Sequence, residues 1–286
     1  MCATGPVDVM ATSRSVPAMI ELHAGPARVL VDPAHGGRLA SVSVVELELI
    51  VDRTTSPGDP LGWGCYPMAP WAGRVRHGRF AFEGVGYRLD LNLAPHAIHG
   101  TVFDAQWDVE STDTRHCRIS CDLGARWPFR GRVTQEVSVD PGGLHLSLRV
   151  CAEDGPMPAV VGWHPWFVRD VPGGGALEVT MDAEHRWESD LDTIPTGLVV
   201  PAGTRPPRGW DDCFAGLPAG PVLTWPGALE LSLTSTCTEW VLFDRPSHAV
   251  CVEPQTGPPD ALNLGPAVVT PGAPLDATFD WTWRIG

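Results

Sequence analysis

Five short segments hold residues able to move protons or read polar groups. Val250-Cys251-Val252-Glu253-Pro254-Gln255 carries a carboxylate at the expected end of an apolar strand, where Glu is depleted. Burial there raises a carboxyl toward the range of a general base; the plain alternative is a rim Glu that ends the strand. Gly162-Trp163-His164-Pro165-Trp166-Phe167 carries a His leaving a buried strand between two Trp. A neutral imidazole gives or takes a proton near neutral pH, and Trp166 offers a flat apolar face; a packed interface histidine is the alternative. His96-Ala97-Ile98-His99-Gly100 sets two His three apart before a strand. They are either loop histidines or ligands, and a metal would need His164 as its third ligand. Arg74, after Pro70-Trp71-Ala72-Gly73, brings several donors to a cleft or simply starts a strand at the surface. In Trp210-Asp211-Asp212-Cys213-Phe214, Asp212 is a turn-borne carboxylate that accepts from hydroxyls or caps the turn.

Other chemistries are excluded by pattern. There is no P-loop, GxGxxG, HExxH, EF-hand loop or GxSxG. No CxxC occurs, which argues against structural zinc. The formal net charge is −14 and no stretch concentrates Lys and Arg. Nucleic-acid binding, which needs a basic footprint, is set aside. The eight cysteines are scattered, a distribution that suits a reducing compartment; Cys117 and Cys121 would share a strand face too far apart to bridge easily. No apolar run approaches the roughly 18 residues of a membrane helix. The expectation is a cytoplasmic protein with no membrane partner. Residues 1–16 read as a flexible tail without the apolar segment of a signal peptide.

The elements that must position these residues are strands. Period-two alternation dominates, punctuated by 31 Gly and 29 Pro. Strands are expected over Arg28–Val31, Arg38–Val44, Arg79–Glu83, Tyr87–Leu91, Val102–Glu110, Arg115–Leu123, Val133–Val139 and Leu144–Val150. The last two flank Asp140-Pro141-Gly142-Gly143, a strong hairpin turn. Further strands are expected over Ala159–Trp163, Ala176–Met181, Ala228–Thr234, Glu239–Phe243, Ala249–Glu253 and Leu275–Trp283. No segment keeps a helical face over a dozen residues, so doubly wound and TIM-barrel folds are excluded. An all-β fold of packed antiparallel sheets is left, in one domain over residues 17–286.

The five segments, in their order along the chain, resemble the galactose mutarotase (aldose 1-epimerase) superfamily. The resemblance rests on His-x-x-His-Gly at His96–Gly100, Gly-x-His-Pro-x-Phe at Gly162–Phe167, Asp-Asp-x-Phe at Asp211–Phe214 and Val-x-Val-Glu-Pro at Val250–Pro254. It implies a large antiparallel β-sandwich, the mutarotase-like supersandwich, with a cleft on one sheet. It implies a cofactor-independent, metal-free isomerase that interconverts the α and β anomers of a free aldohexose. Glu253 then corresponds to the base that takes the anomeric hydroxyl proton, and His164 to the acid that protonates the ring oxygen. His96, His99, Arg74, Asp212 and Trp166 correspond to sugar-contacting residues.

Two features depart from the family pattern. Gly73 stands where many members have Asn, and the loop after His99 is short. Both bear on which sugar fits. Two alternatives accompany the epimerase reading: a hexose-6-phosphate 1-epimerase using Arg76, Arg79 and Arg130, and a non-catalytic carbohydrate-binding protein. A homodimer through sheet edges is compatible with the pattern. The 12 Trp against 2 Tyr suggest that Trp71, Trp163, Trp166 and Trp210 line the sugar cleft. Glu253 and His164 are expected to face one pocket about a sugar ring apart.

Overall fold

The computed structural model describes residues 18–203 and 209–286; the expected tail over residues 1–16 lies outside them. Two antiparallel sheets carry the fold. The larger has eleven strands, ordered Ile20–Ala24, Ala27–Asp32, Arg38–Val44, Cys65–Met68, Gly162–Val168, Ala249–Gln255, Glu239–Phe243, Asp211–Ala215, His185–Ser189 and Pro195–Pro201, with Leu47–Glu48 paired to Arg38–Val44. The smaller has eight, ordered Asp108–Thr112, His116–Asp122, Gly131–Asp140, Gly143–Ala152, Leu275–Ile285, Leu229–Ser235, Val222–Trp225 and Glu178–Thr180. One helical turn, Ala261–Leu264, is the α-helix among the described residues.

The core lies between the sheets and is built by alternation. In strand Gly162–Val168, Trp163 and Phe167 point inward, their rings meeting Phe279 and Trp281 of the smaller sheet. Trp163 Nε1 donates to Gln135 Oε1 at 3.0 Å, so its polar edge is satisfied inside the core. His164 and Trp166 therefore point to the outer face of the larger sheet. In strand Ala249–Gln255, Val250 and Val252 join the core while Cys251, Glu253 and Gln255 share the outer face.

The expected hairpin forms as Gly131–Asp140 against Gly143–Ala152, with Asp140 paired to Gly143. Its turn is closed by Gly142 N–H donating to Asp140 Oδ1 at 2.8 Å. Several expectations change. The strand expected over Tyr87–Leu91 runs over Val85–Arg88, and Asp212, expected on a turn, lies in strand Asp211–Ala215. Val102–Glu110 is a strand only from Asp108, because Val102 to Trp107 fold into turns whose buried residues follow no period. Ala159–Trp163 is split. Met157–Ala159 pairs with Ala267–Val269, and the chain then crosses to the larger sheet at Gly162. Strand Ala249–Gln255 does not end at Glu253 but runs through Pro254. All seven described cysteines are free, including Cys117 and Cys121, which share the inner face of His116–Asp122. No helix among the described residues is long and apolar enough to cross a membrane.

Candidate active site

The site follows from the register of two neighbouring strands. Gly162 pairs with Gln255, and Trp166 to Val168 pair with Cys251 to Ala249. The ladder is open at the positions between, where each strand carries a proline, Pro165 and Pro254. Proline has no N–H to contribute, so the facing pairs Trp163–Pro254 and Pro165–Val252 can each give the ladder at most one bond. Register is kept across it, and His164 stands opposite Glu253 on the same face. His164 Nε2 lies 3.3 Å from Glu253 Oε1. On its other side His164 pairs with Tyr66, and the imidazole is stacked between the rings of Tyr66 at 4.8 Å and Trp166 at 5.2 Å. Tyr66 Oη and Trp166 Nε1 both donate to the carbonyl of Leu61, which fixes this stack from below.

Above the pair opens a cavity of about 240 Å³. Its wall includes Arg74, His99, His164, Trp166, Asp211, Asp212, Glu253 and Gln255. Strand Arg74–Val75 holds Arg74 at the rim. Its carbonyl accepts from Asp260 N–H at 2.6 Å, and Asp260 Oδ1 accepts from Arg76 N–H at 2.9 Å. His99 sits on a left-handed residue, φ 59°, before Gly100 at φ 84°. Gly100 is required there: a Cβ would come within 2.0 Å of the Ala69 carbonyl oxygen. The His99 ring meets His164 edge-on at 4.9 Å, and its buried Nδ1 has no partner in the protein.

Burial sets the electrostatics. It raises the Glu253 carboxyl well above its usual range, with the Asp211 charge adding to the rise. It pushes His164 down to about 3 and His99 well below its ordinary value, helped by His164 and Arg74. Both shifts favour the uncharged forms of the pair. A carboxylic acid with an imidazole holds the same single proton as a carboxylate with an imidazolium. The two states differ by a shift along the 3.3 Å contact, and burial favours the uncharged one.

The sequence candidates separate as follows. Glu253, His164, Arg74, His99, Asp212 and Trp166 all border the cavity. His96 is not on its wall. It is buried against His77, whose N–H donates to its Nδ1, and lies 3.8 Å from Asp192. Trp163 belongs to the core, Trp71 packs on Trp127 and Trp210 on Phe214, so Trp166 alone of those four tryptophans reaches the cavity. Asp212 has its carboxylate 3.7 Å from Arg186. Its neighbour Asp211, missed in the sequence, lies 3.4 Å from Arg74 Nη2 and 3.5 Å from Arg245 Nη1. Register explains the difference. Asp211 pairs with Phe243, which pairs with Cys251, so Asp211 shares the outer face with Glu253. Gln255 was also missed, though it shares that face two residues beyond Glu253. Gly73, at φ 68°, leaves no room for the family's Asn, since a Cβ would lie 2.8 Å from Pro259.

The expected sugar-ring gap between Glu253 and His164 is absent. Their tips meet at 3.3 Å, so the space for a ligand lies over the pair and not between them. As for metals, His164, Cys251 and Glu253 bring ligand atoms within 4.8 Å of one another, the one such group among the described residues.

The family described as Aldose 1-epimerase matches residues 19–209. The galactose mutarotase of Rattus norvegicus is 30% identical over 140 residues, and that of Homo sapiens 31% over 138. Each match covers 46% of this chain but only 40% of the relative's length. Among solved structures, a galactose mutarotase-like protein from Clostridium acetobutylicum superposes with a TM-score of 0.84 at 15% identity, covering 94% of this chain and 95% of that one. A galactose 1-epimerase from Lactobacillus acidophilus superposes with a TM-score of 0.77 at 19% identity, covering 94% and 95%. Two packed antiparallel sheets, a His and a Glu facing each other in one cleft, and a family match over two thirds of the residues lead to one conclusion: the chain belongs to the aldose 1-epimerase family.

Proposed function

We propose that this protein interconverts the α and β anomers of a free, uncharged aldohexose. The observation that carries the reading is the His164–Glu253 pair, in contact and buried, at the floor of a cavity edged with hydroxyl-reading groups. Ring opening needs one proton taken from the anomeric hydroxyl and one given to the ring oxygen. The single proton of the pair first passes from Glu253 to His164 along their contact. Glu253 is then the base that takes the anomeric hydroxyl proton and His164 the acid that gives its proton to the ring oxygen, which returns the pair to its uncharged form. Rotation about C1–C2 and reclosure with the roles exchanged gives the other anomer, and Arg74 and Asp211 lie beside the pair while it is charged. Trp166, stacked on His164 and His248, adds apolar wall beside the ring, while Arg74, His99 and Asp211 meet its hydroxyls.

An uncharged substrate is supported by the company of the arginines. A phosphate asks for converging cations. Arg76 is held by Asp190 and Asp192, Arg130 by Glu153 and Asp154, and Arg79 is exposed on its strand. The cavity wall holds Asp59, Asp211, Asp212 and Glu253 against Arg74 among the described residues. The free cysteines fit a reducing, cytoplasmic setting. The test is polarimetry or NMR on freshly dissolved α-glucose, α-galactose and glucose 6-phosphate. Acceleration of the free sugars above the buffer rate is expected. No acceleration with any of them would leave a binding protein, and acceleration of the phosphate alone would replace the substrate class.

A further inference from the structure

Gln255 is fully buried, yet it lies on the cavity wall. Register seats it between Gly162 and Glu239. Gly162 keeps it there, since a Cβ on Gly162 would fall 2.3 Å from the Pro254 carbonyl oxygen and 3.1 Å from Gln255 Cγ. The carboxamide Nε2 donates to Glu253 Oε2 at 3.1 Å. Its other end, Oε1, has no partner in the protein. A buried carbonyl acceptor left unpaired costs its full desolvation. An unpaired acceptor on a side chain that borders the cavity offers a site to a donor that arrives from outside.

We propose that Gln255 reads the sugar hydroxyl next to the anomeric carbon while it holds Glu253 in its proton-transferring orientation. This deepens the epimerase reading and rests on it for the identity of the ligand. A carboxylate has two oxygens. Gln255 occupies Oε2, and Oε1 is left facing His164. His164 lies across the sheet from Glu253, whereas Gln255 lies along the same strand. With the anomeric hydroxyl on Glu253 and the ring oxygen on His164, the remaining substituent at that end of the sugar is the C2 hydroxyl. It is the donor that turns toward Gln255. The positioning role and the reading role use opposite ends of one amide, so substitution separates them.

The experiment compares an aldose with its 2-deoxy analogue on wild type, Gln255→Met and Gln255→Glu. Binding is followed by Trp fluorescence, through Trp166, and turnover by NMR. Wild type is expected to favour the 2-hydroxy sugar by about tenfold to a hundredfold in Kd and kcat/KM, the scale of one unmade buried hydrogen bond. Gln255→Met is expected to bind both sugars within about twofold of each other and to lose about tenfold in kcat besides. Gln255→Glu keeps an acceptor and is expected to keep the preference, with its pH–rate profile moved toward alkaline pH by the added carboxyl beside Glu253. An unchanged 2-hydroxy preference in a folded Gln255→Met protein overturns the proposal, whatever the turnover. Preference lost in that variant, with wild type inert toward every sugar, keeps Gln255 as a hydroxyl reader and sinks the epimerase reading instead. If no aldose binds wild type, both readings are lost.

Discussion

His164 and Glu253 meet across an interrupted ladder. Their strands are paired on both sides of the site, and Nε2 lies 3.3 Å from Oε1 where the strands carry Pro165 and Pro254. The pair is seated on a rigid sheet, with its tips free to reach a ligand above. Removing the proton-accepting group without changing the shape is the direct test. Glu253→Gln is expected to lower kcat by about 10³-fold, within the 10²–10⁴ range of general acid–base catalysis, with sugar affinity within about twofold of wild type. Loss of affinity with turnover per bound sugar intact would remove Glu253 from the chemistry.

The pH dependence follows from the burial of the pair. His164 is pushed down to about 3, so its charging switches activity off only as pH falls well below the ordinary histidine range. Glu253 is held well above 4.5, so the pair loses its single proton, and its activity, as pH rises through that raised value. The kcat profile should therefore show no acid limb where a free histidine titrates. An acid limb centred near 6.5 would show that His164 titrates as an exposed histidine and would contradict the stacked, buried geometry.

Asp211 and Asp212 are adjacent but face different surroundings. Asp211→Asn removes a charge that shares the outer face with Glu253 and neighbours Arg74. It is expected to raise KM by about tenfold and to move the alkaline limb to lower pH, because a like charge beside Glu253 is lost. Asp212→Asn, whose carboxylate attends Arg186, is expected to change KM by less than about threefold. The reverse ranking in steady-state kinetics would return the sugar-reading role to Asp212.

Turnover by Glu253 and His164 calls for no ion, so exhaustive chelation should leave the rate unchanged. Added Zn²⁺ should inhibit, because His164, Cys251 and Glu253 bring N, S and O atoms within 4.8 Å of one another, a donor set that suits a borderline-soft cation. Cys251→Ser should weaken that inhibition. Activity that falls on chelation and returns with a divalent metal would refute the metal-free chemistry.

Gly100→Ala tests the turn that carries His99. Its Cβ would meet a carbonyl oxygen at 2.0 Å, at φ 84°, and the expected loss is about 2–4 kcal/mol of unfolding free energy. Gly84→Ala shares the left-handed backbone but meets nothing within 4 Å, and should cost only ~1 kcal/mol. Equal losses in urea denaturation would show that conformation alone, not the approach to Ala69, demands the glycine.

Much of this was legible in the residues themselves. Alternation and turn chemistry marked the hairpin from Gly131 to Ala152 because both are local, and a two-residue loop admits one register. The motif residues Glu253 and His164 stood out because a charged group inside an apolar strand calls for a reason. Glu239, buried in a strand of the same sheet, shows that such a group is not by itself a site. Local pattern could not say which face of a strand meets the cavity and which meets the second sheet. Trp163 and Trp166 look equivalent along the chain, yet one is core and the other wall. Asp211 and Asp212 both border the cavity but leave opposite faces of their strand, and Gln255 acquires a role only because the strand continues past Pro254. Composition and period determined an all-β chain, and the joining of Glu253 with His164 came from the resemblance of their motifs to a family. Which side chains surround that pair was decided by strand register over five neighbouring strands, since a shift of one residue moves every side chain to the other face.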